Sequence, residues 1–125
     1  MSTILLADDE PNVREVFGFL LRNEGYKTLE ASDAPSCIQM AEQKPDLILL
    51  DWMMPGVDGV DALRILKSRP STREIPVVMV TALDGITQIA LATDEGADGY
   101  LTKPVEADDL LSVVRRFITV CPVPA

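Results

Sequence analysis

Five short strand-like runs, at residues 4–7, 27–31, 47–50, 77–80 and 100–102, alternate with helical patterns along the chain. A first helix is predicted from Pro11, a favoured opening residue. Val13, Val16, Phe17, Leu20 and Leu21 fall on one of its faces, and Gly25 is a usual kind of stop. A second follows the cap-type pair Ser32-Asp33, carries Ile38 and Ala41, and cannot pass Pro45. A third carries Val60, Leu63, Ile65 and Leu66 and is over by Pro70. A fourth covers about 86–95 and stops at Gly96; a fifth carries Leu110, Leu111, Val114, Phe117 and Ile118 and ends before Pro122.

Five strands alternating with five helices predict an α/β fold, a doubly wound parallel sheet. Strands 1, 3 and 4 are continuously apolar, as strands covered on both faces must be. Strands 2 and 5 carry Lys27, Thr28, Glu30 and Thr102, which suits edges. The order 2-1-3-4-5 satisfies that division. It places a ligand cleft at the carboxyl ends of strands 1 and 3, where the winding reverses.

The length of 125 residues fits one domain, 1–120, with 121–125 as a short tail or the start of a linker. Twenty Asp and Glu against eleven Lys and Arg give a net charge of −9. So acidic a surface repels phosphate backbones and anionic lipid, so neither direct nucleic-acid binding nor membrane binding is expected. Divalent cations and basic partner surfaces suit it. The chain has no His, which removes the commonest general base and most zinc sites. Cys37 and Cys121 form no disulfide or metal pattern and read as reduced thiols. No leader-like or membrane-spanning run appears, so a cytoplasmic location is expected.

The chemistry collects where the strands end. Asp8-Asp9 follow strand 1, Asp51 ends strand 3, Thr81 ends strand 4 and Lys103-Pro104 follow strand 5. Asp8 or Asp9 could simply cap the helix at Pro11. Two acids facing a third instead crowd negative charge and call for a cation, and an all-oxygen set suits Mg²⁺. Asp51 could be a turn residue, or a carboxylate that attacks a phosphoryl group. Thr81 and Lys103 would then supply a hydroxyl and a fixed positive charge.

With Asp51-Trp52-Met53-Met54-Pro55-Gly56-Val57-Asp58-Gly59 and Gly96-Ala97-Asp98-Gly99-Tyr100-Leu101-Thr102-Lys103-Pro104, this spacing closely resembles bacterial response-regulator receiver domains over about residues 3–119. The resemblance implies a flavodoxin-like fold and a phosphorylation-dependent signalling switch rather than an enzyme. It implies a sensor histidine kinase, or a histidine phosphotransfer protein, that phosphorylates Asp51. It implies Mg²⁺, with Mn²⁺ as an alternative, bound by Asp9 and Asp51 directly, by Asp8 through water and by the Met53 backbone carbonyl. Thr81 and Lys103 would contact the phosphoryl oxygens, and Lys103-Pro104 would be a cis bond. Tyr100 holds the position of the switch aromatic, which turns inward as Thr81 moves. Met53 and Leu83 flank the site where side chains tune phosphoryl lifetime. The changed face, helix 4 to strand 5 to helix 5, would control a downstream protein or output domain.

Three other readings compete. An aspartate-nucleophile phosphatase wants an acid two residues after the nucleophile, where this chain has Met53. A nucleotide- or flavin-binding module wants a Gly- or hydroxyl-rich loop after strand 1, where this chain has Asp8-Asp9-Glu10-Pro11. A degenerate receiver acting as an unphosphorylated scaffold would lack a site residue, and none is missing. The tail after Ile118 fits either a free-standing receiver or part of a longer regulator. Met40, Met53, Met54 and Met79 read as packing, and Arg115-Arg116 as the wet face of the last helix. Residues 84–102 contain Asp84, Asp94, Glu95 and Asp98 but no Lys or Arg. A reciprocal charged dimer through that segment is therefore not expected. The face around Ile86, Ile89 and Tyr100 is expected to meet a different partner.

Overall fold

The structure is a computed structural model that describes residues 2–54, 56–82 and 86–118, with the Ile86 side chain also left undescribed. Leu83, Asp84, Cys121 and the 121–125 tail lie outside those residues. The elements run β1 (Thr3–Ala7), α1 (Pro11–Asn23), β2 (Lys27–Ala31), α2 (Ala34–Ala41), β3 (Leu47–Asp51), α3 (Gly59–Ser68), β4 (Val77–Thr81), α4 (Ile86–Asp94), β5 (Gly99–Thr102) and α5 (Ala107–Phe117). All strand pairs are parallel, and the sheet order is β2-β1-β3-β4-β5. The α/β doubly wound architecture expected from the apolar pattern is the one observed.

Alternation along each strand explains two cores. Leu5, Ile48, Leu50, Val77 and Met79 point to one face, where Ala34, Cys37 and Ala41 of α2 and Leu63 and Leu66 of α3 cover them. Ile4, Leu6, Leu47, Leu49, Val78 and Val80 point to the other, under Leu21 of α1 and Leu110 and Val114 of α5. Every residue of β3 and β4 is buried, whereas β2 and β5 are partly open. Full burial of a Leu, Ile or Val side chain contributes roughly 1.5–3 kcal/mol, so the central strands anchor the fold.

Local rules fix the helix ends. Asp33 caps α2 by accepting from the Ser36 N–H at 2.8 Å. Gly25 and Gly96 follow α1 and α4 at φ 95° and 104°, a backbone that side chains resist. Val16 departs from the expected core stripe of α1. It is 55% exposed and lines a groove with Phe17, Pro104 and Val105. The helix turns its Gly18–Leu21 edge to the sheet, which leaves Val16 in water.

Candidate functional site

The register sets the site. Ala7 lies beside Leu50 across β1 and β3, so the next residues, Asp8 and Asp51, emerge together at the carboxyl edge. Asp51 also pairs with Val80, one residue before Thr81, and Thr81 pairs with Thr102, one residue before Lys103. Four neighbouring strands therefore deliver Asp8, Asp51, Thr81 and Lys103 to one end of the sheet.

Lys103 ties the acids together. Its Nζ donates to Asp8 Oδ2 at 2.9 Å and lies 3.5 Å from Asp51 Oδ2 and 3.9 Å from Glu10 Oε1. Asp8 and Asp51 are only 5% and 4% exposed. Burial and the charge of Asp8 push the Asp51 carboxyl up to about 6, against the opposing pull of Lys103. Burial works against the Lys103 ammonium, but the hydrogen bond to Asp8 and the charges of Asp51, Asp8 and Glu10 outweigh it and raise its pKa.

Asp8 does not cap α1. Its Oδ1 accepts from the Glu10 N–H at 2.9 Å, and Glu10 is the residue at the cap position, without a side-chain capping bond. Asp8 is thus committed to the loop and to Lys103. Arg14 Nη1 holds the loop from the far side by donating to Asp8 O at 2.6 Å. Asp9 and Glu10 are exposed, and one carboxylate oxygen from each of Asp8, Asp9 and Glu10 lies within 4.8 Å of the others.

The donor set fits a divalent cation. One ammonium serves two buried carboxylates, with two more acids at the rim, so negative charge stays in excess. Every donor is oxygen, as Mg²⁺ requires. The Met53 N–H approaches Asp51 Oδ1 at 3.4 Å, which curls the chain after β3 back over its own last residue.

Thr81 is buried at the end of β4, and Tyr100 is half-buried on β5. The Tyr100 ring meets Trp52 edge-on, with centroids 6.4 Å apart and planes at 69°. The residue after Asp51 and the aromatic on β5 thus touch. The Lys103–Pro104 peptide bond is cis. Met40, Met54 and Met79 pack in or against the core, but Met53 does not; it is 59% exposed, because it starts the loop that leaves β3 for solvent.

Two contributors escape a reading of spacing alone. Glu10 joins the acidic rim, and only its adjacency to Asp8-Asp9 signals it. Gly59 opens α3 against the backbone of the Asp51 strand. A Cβ there would stand 2.7 Å from Trp52 Cα and closer still to Asp51 O, while the Gly59 N–H donates to Trp52 O at 2.6 Å. The Asp58-Gly59 pair resembles ordinary turn chemistry, which conceals that close approach.

Residues 4–115 match the family described as the response regulator receiver domain, and the chain belongs to that family. The phosphate regulon transcriptional regulatory protein PhoB of Escherichia coli (strain K12) is 41% identical over 113 residues, which cover 90% of this chain and 49% of that protein. The chain thus spans about half the length of the curated relatives it matches. Vibrio cholerae chemotaxis protein CheY4 superposes with a TM-score of 0.89 at 24% identity, over 94% of this chain and 99% of that one. That match speaks to the fold alone. The receiver domain of the sensor histidine kinase PA1611 from Pseudomonas aeruginosa PAO1 was solved with a magnesium ion coordinated in its active-site cleft. It superposes at a TM-score of 0.86 with 28% identity, over 94% of this chain and 98% of that one. The family match favours a phosphorylation-dependent signalling domain over the phosphatase, nucleotide-binding and scaffold readings. Among the described residues no helix is long and apolar enough to cross a membrane.

Proposed function

We propose that this chain is a cytoplasmic signalling switch that takes a phosphoryl group onto Asp51 from a histidine kinase or a histidine phosphotransfer protein. The observation that carries the reading is the Lys103 bridge, with one ammonium between two buried carboxylates at the carboxyl edge of the sheet. The ionised Asp51 oxygen attacks phosphorus in line. The donor's N–P bond breaks as the O–P bond forms, and the imidazole leaves with the electron pair. Mg²⁺ on Asp9, Asp51 and the Met53 carbonyl, with Asp8 acting through water, would neutralise the charge of the incoming group. Lys103 can then turn from Asp51 to a phosphoryl oxygen, and the Thr81 hydroxyl serves a second.

The output follows from packing. A hydroxyl drawn toward the phosphoryl group leaves room behind it, which Tyr100 fills by leaving the edge of Trp52. A local charge thereby biases a packed element, and the α4–β5–α5 face changes for a downstream protein or output domain. The chain assists its own phosphorylation but serves as a signalling domain.

Acetyl phosphate with Mg²⁺ tests this. Intact mass is expected to rise by one phosphoryl group, and the label is expected to vanish with Asp51→Asn and with EDTA. Equal labelling of Asp51→Asn would overturn the assignment.

A further inference from the structure

Sulfur is unevenly placed in this molecule. Cys37 and Met79 are fully buried and Met54 is nearly so. Met40 lies against the core, with its Sδ accepting from Gln43 Nε2 at 3.4 Å. Met53 stands mostly in water while its own N–H reaches Asp51 Oδ1 at 3.4 Å. Among the described residues it is the sulfur most open to a solute, and it lies two residues after Asp51 in the loop that follows β3. The Cys37 thiol does not compete for oxidants, because burial pushes it up to about 12 and little thiolate forms at neutral pH.

We propose that Met53 is a site of reversible oxidation by hydrogen peroxide, and that its sulfoxide shortens the life of a phosphoryl group on Asp51. The second half rests on Asp51 being the phosphoacceptor. In the oxidation, a sulfur lone pair attacks one peroxide oxygen. The O–O bond breaks, an S–O bond forms, and the second oxygen leaves as water after proton transfer. Sulfur loses two electrons and the peroxide gains them. Methionine sulfoxide reductases reverse the change with electrons from a thiol.

The functional consequence follows from polarity. Hydrolysis of an aspartyl phosphate needs a water in line with the phosphorus–carboxylate bond. A thioether is a weak acceptor and holds such a water poorly. A sulfoxide oxygen is a strong acceptor on the same flexible stem. One added hydrogen bond to the entering water corresponds to a roughly three- to tenfold faster loss of the phosphoryl group.

The test uses the full chain in two arms. In the first, peroxide is titrated and oxygen addition at each methionine is mapped by peptide mass spectrometry. Met53 is expected to oxidise before Met40, Met54 and Met79, with Met54 and Met79 protected until urea is added. Equal rates at Met53 and Met79 in the folded chain would overturn the site. In the second, chain labelled by acetyl phosphate is freed of donor, and loss of label is followed with and without prior oxidation. Loss is expected to accelerate three- to tenfold, to return to the untreated rate after sulfoxide reductase, and to become insensitive to peroxide in Met53→Leu. An unchanged rate in oxidised chain, or an acceleration that persists in Met53→Leu, would overturn the functional half. If untreated chain took no label on Asp51, the phosphoacceptor reading and the functional half would both fall, while the oxidation map would still decide the first half.

Discussion

Asp51 couples the site to stability through its proton. Its folded pKa of about 6 lies above the ordinary 3.8, because burial and Asp8 disfavour its charge. The protonated form therefore favours the fold. That stabilisation is complete below about pH 4 and is lost as pH rises through about 6. In metal-free chain at neutral pH, the ionised Asp51 thus weakens the structure that holds it. Asp51→Asn is expected to be more stable than the native chain at pH 7.5 in EDTA by ~1–3 kcal/mol. The difference is expected to shrink toward zero at pH 4. Urea unfolding at the two pH values measures it, and a less stable variant at pH 7.5 would show that Lys103 outweighs burial. Cys37 gives a second residue-scale expectation. With its thiol buried and pushed up to about 12, it is expected to resist iodoacetamide at pH 8 in the folded chain and to react once urea is added. Peptide mapping of Cys37 reads this directly, and fast alkylation of the native chain would contradict the burial.

The elements were legible wherever one period dominated. The apolar runs of β1, β3 and β4 and the polar marks on β2 and β5 separated interior strands from edges, and the observed order β2-β1-β3-β4-β5 satisfies that division. Helix ends were legible where Gly25 and Gly96 take positive φ, but less so after α2. There Lys44 takes φ 60° ahead of Pro45, and its ammonium donates to the carbonyl of Ser71, a partner far along the chain. The carboxyl-edge residues Asp8, Asp51, Thr81 and Lys103 were legible because each marks the end of a strand. Val16 and Met53 were misplaced, since an apolar side chain in water looks in sequence like one in a core. Gly59 was missed because close backbone approach leaves no pattern. It carries a prediction for the β3–α3 junction. Gly59→Ala is expected to destabilise the fold by ~1–3 kcal/mol through overpacking. It is also expected to weaken Mg²⁺ binding by roughly tenfold or more, because the Asp51–Met53 backbone must shift. Trp52 fluorescence against Mg²⁺, beside urea unfolding, separates the two effects. An unchanged metal titration in a destabilised variant would leave Gly59 with a purely structural role.

At the scale of the whole molecule, charge decides what the chain can pair with. Two acids of the α4–β5 segment, Glu95 and Asp98, do not simply face solvent. Arg64 of α3 grips Glu95 through two bonds, at 3.0 and 3.1 Å, and also reaches Asp61 at 2.9 Å. Lys67 of α3 binds Asp98 at 2.9 Å and the Ile75 carbonyl at 2.9 Å, and Asp98 in turn accepts from the Val77 N–H. Two carboxylates of that segment are thus taken by cations of the same chain and are not free for a second copy. The cations of α5 are engaged as well. Arg115 lies 3.6 Å from Glu24 at the end of α1, and the Arg116 guanidinium sits 5.8 Å from the Phe117 ring centre. Exposed ion pairs contribute only about 0–1 kcal/mol each, so trading these internal pairs for intermolecular ones gains little. A net charge of −9 adds repulsion between copies. The chain is therefore expected to stay monomeric at tens of micromolar, with and without beryllofluoride as a phosphoryl mimic. Ile89 and Leu91 remain exposed on α4. Multi-angle light scattering reads the state directly. A dimer that weakens at least tenfold on Arg115→Ala or Arg116→Ala would show that these arginines abandon their own chain for a neighbour, and would overturn the argument from internal pairing.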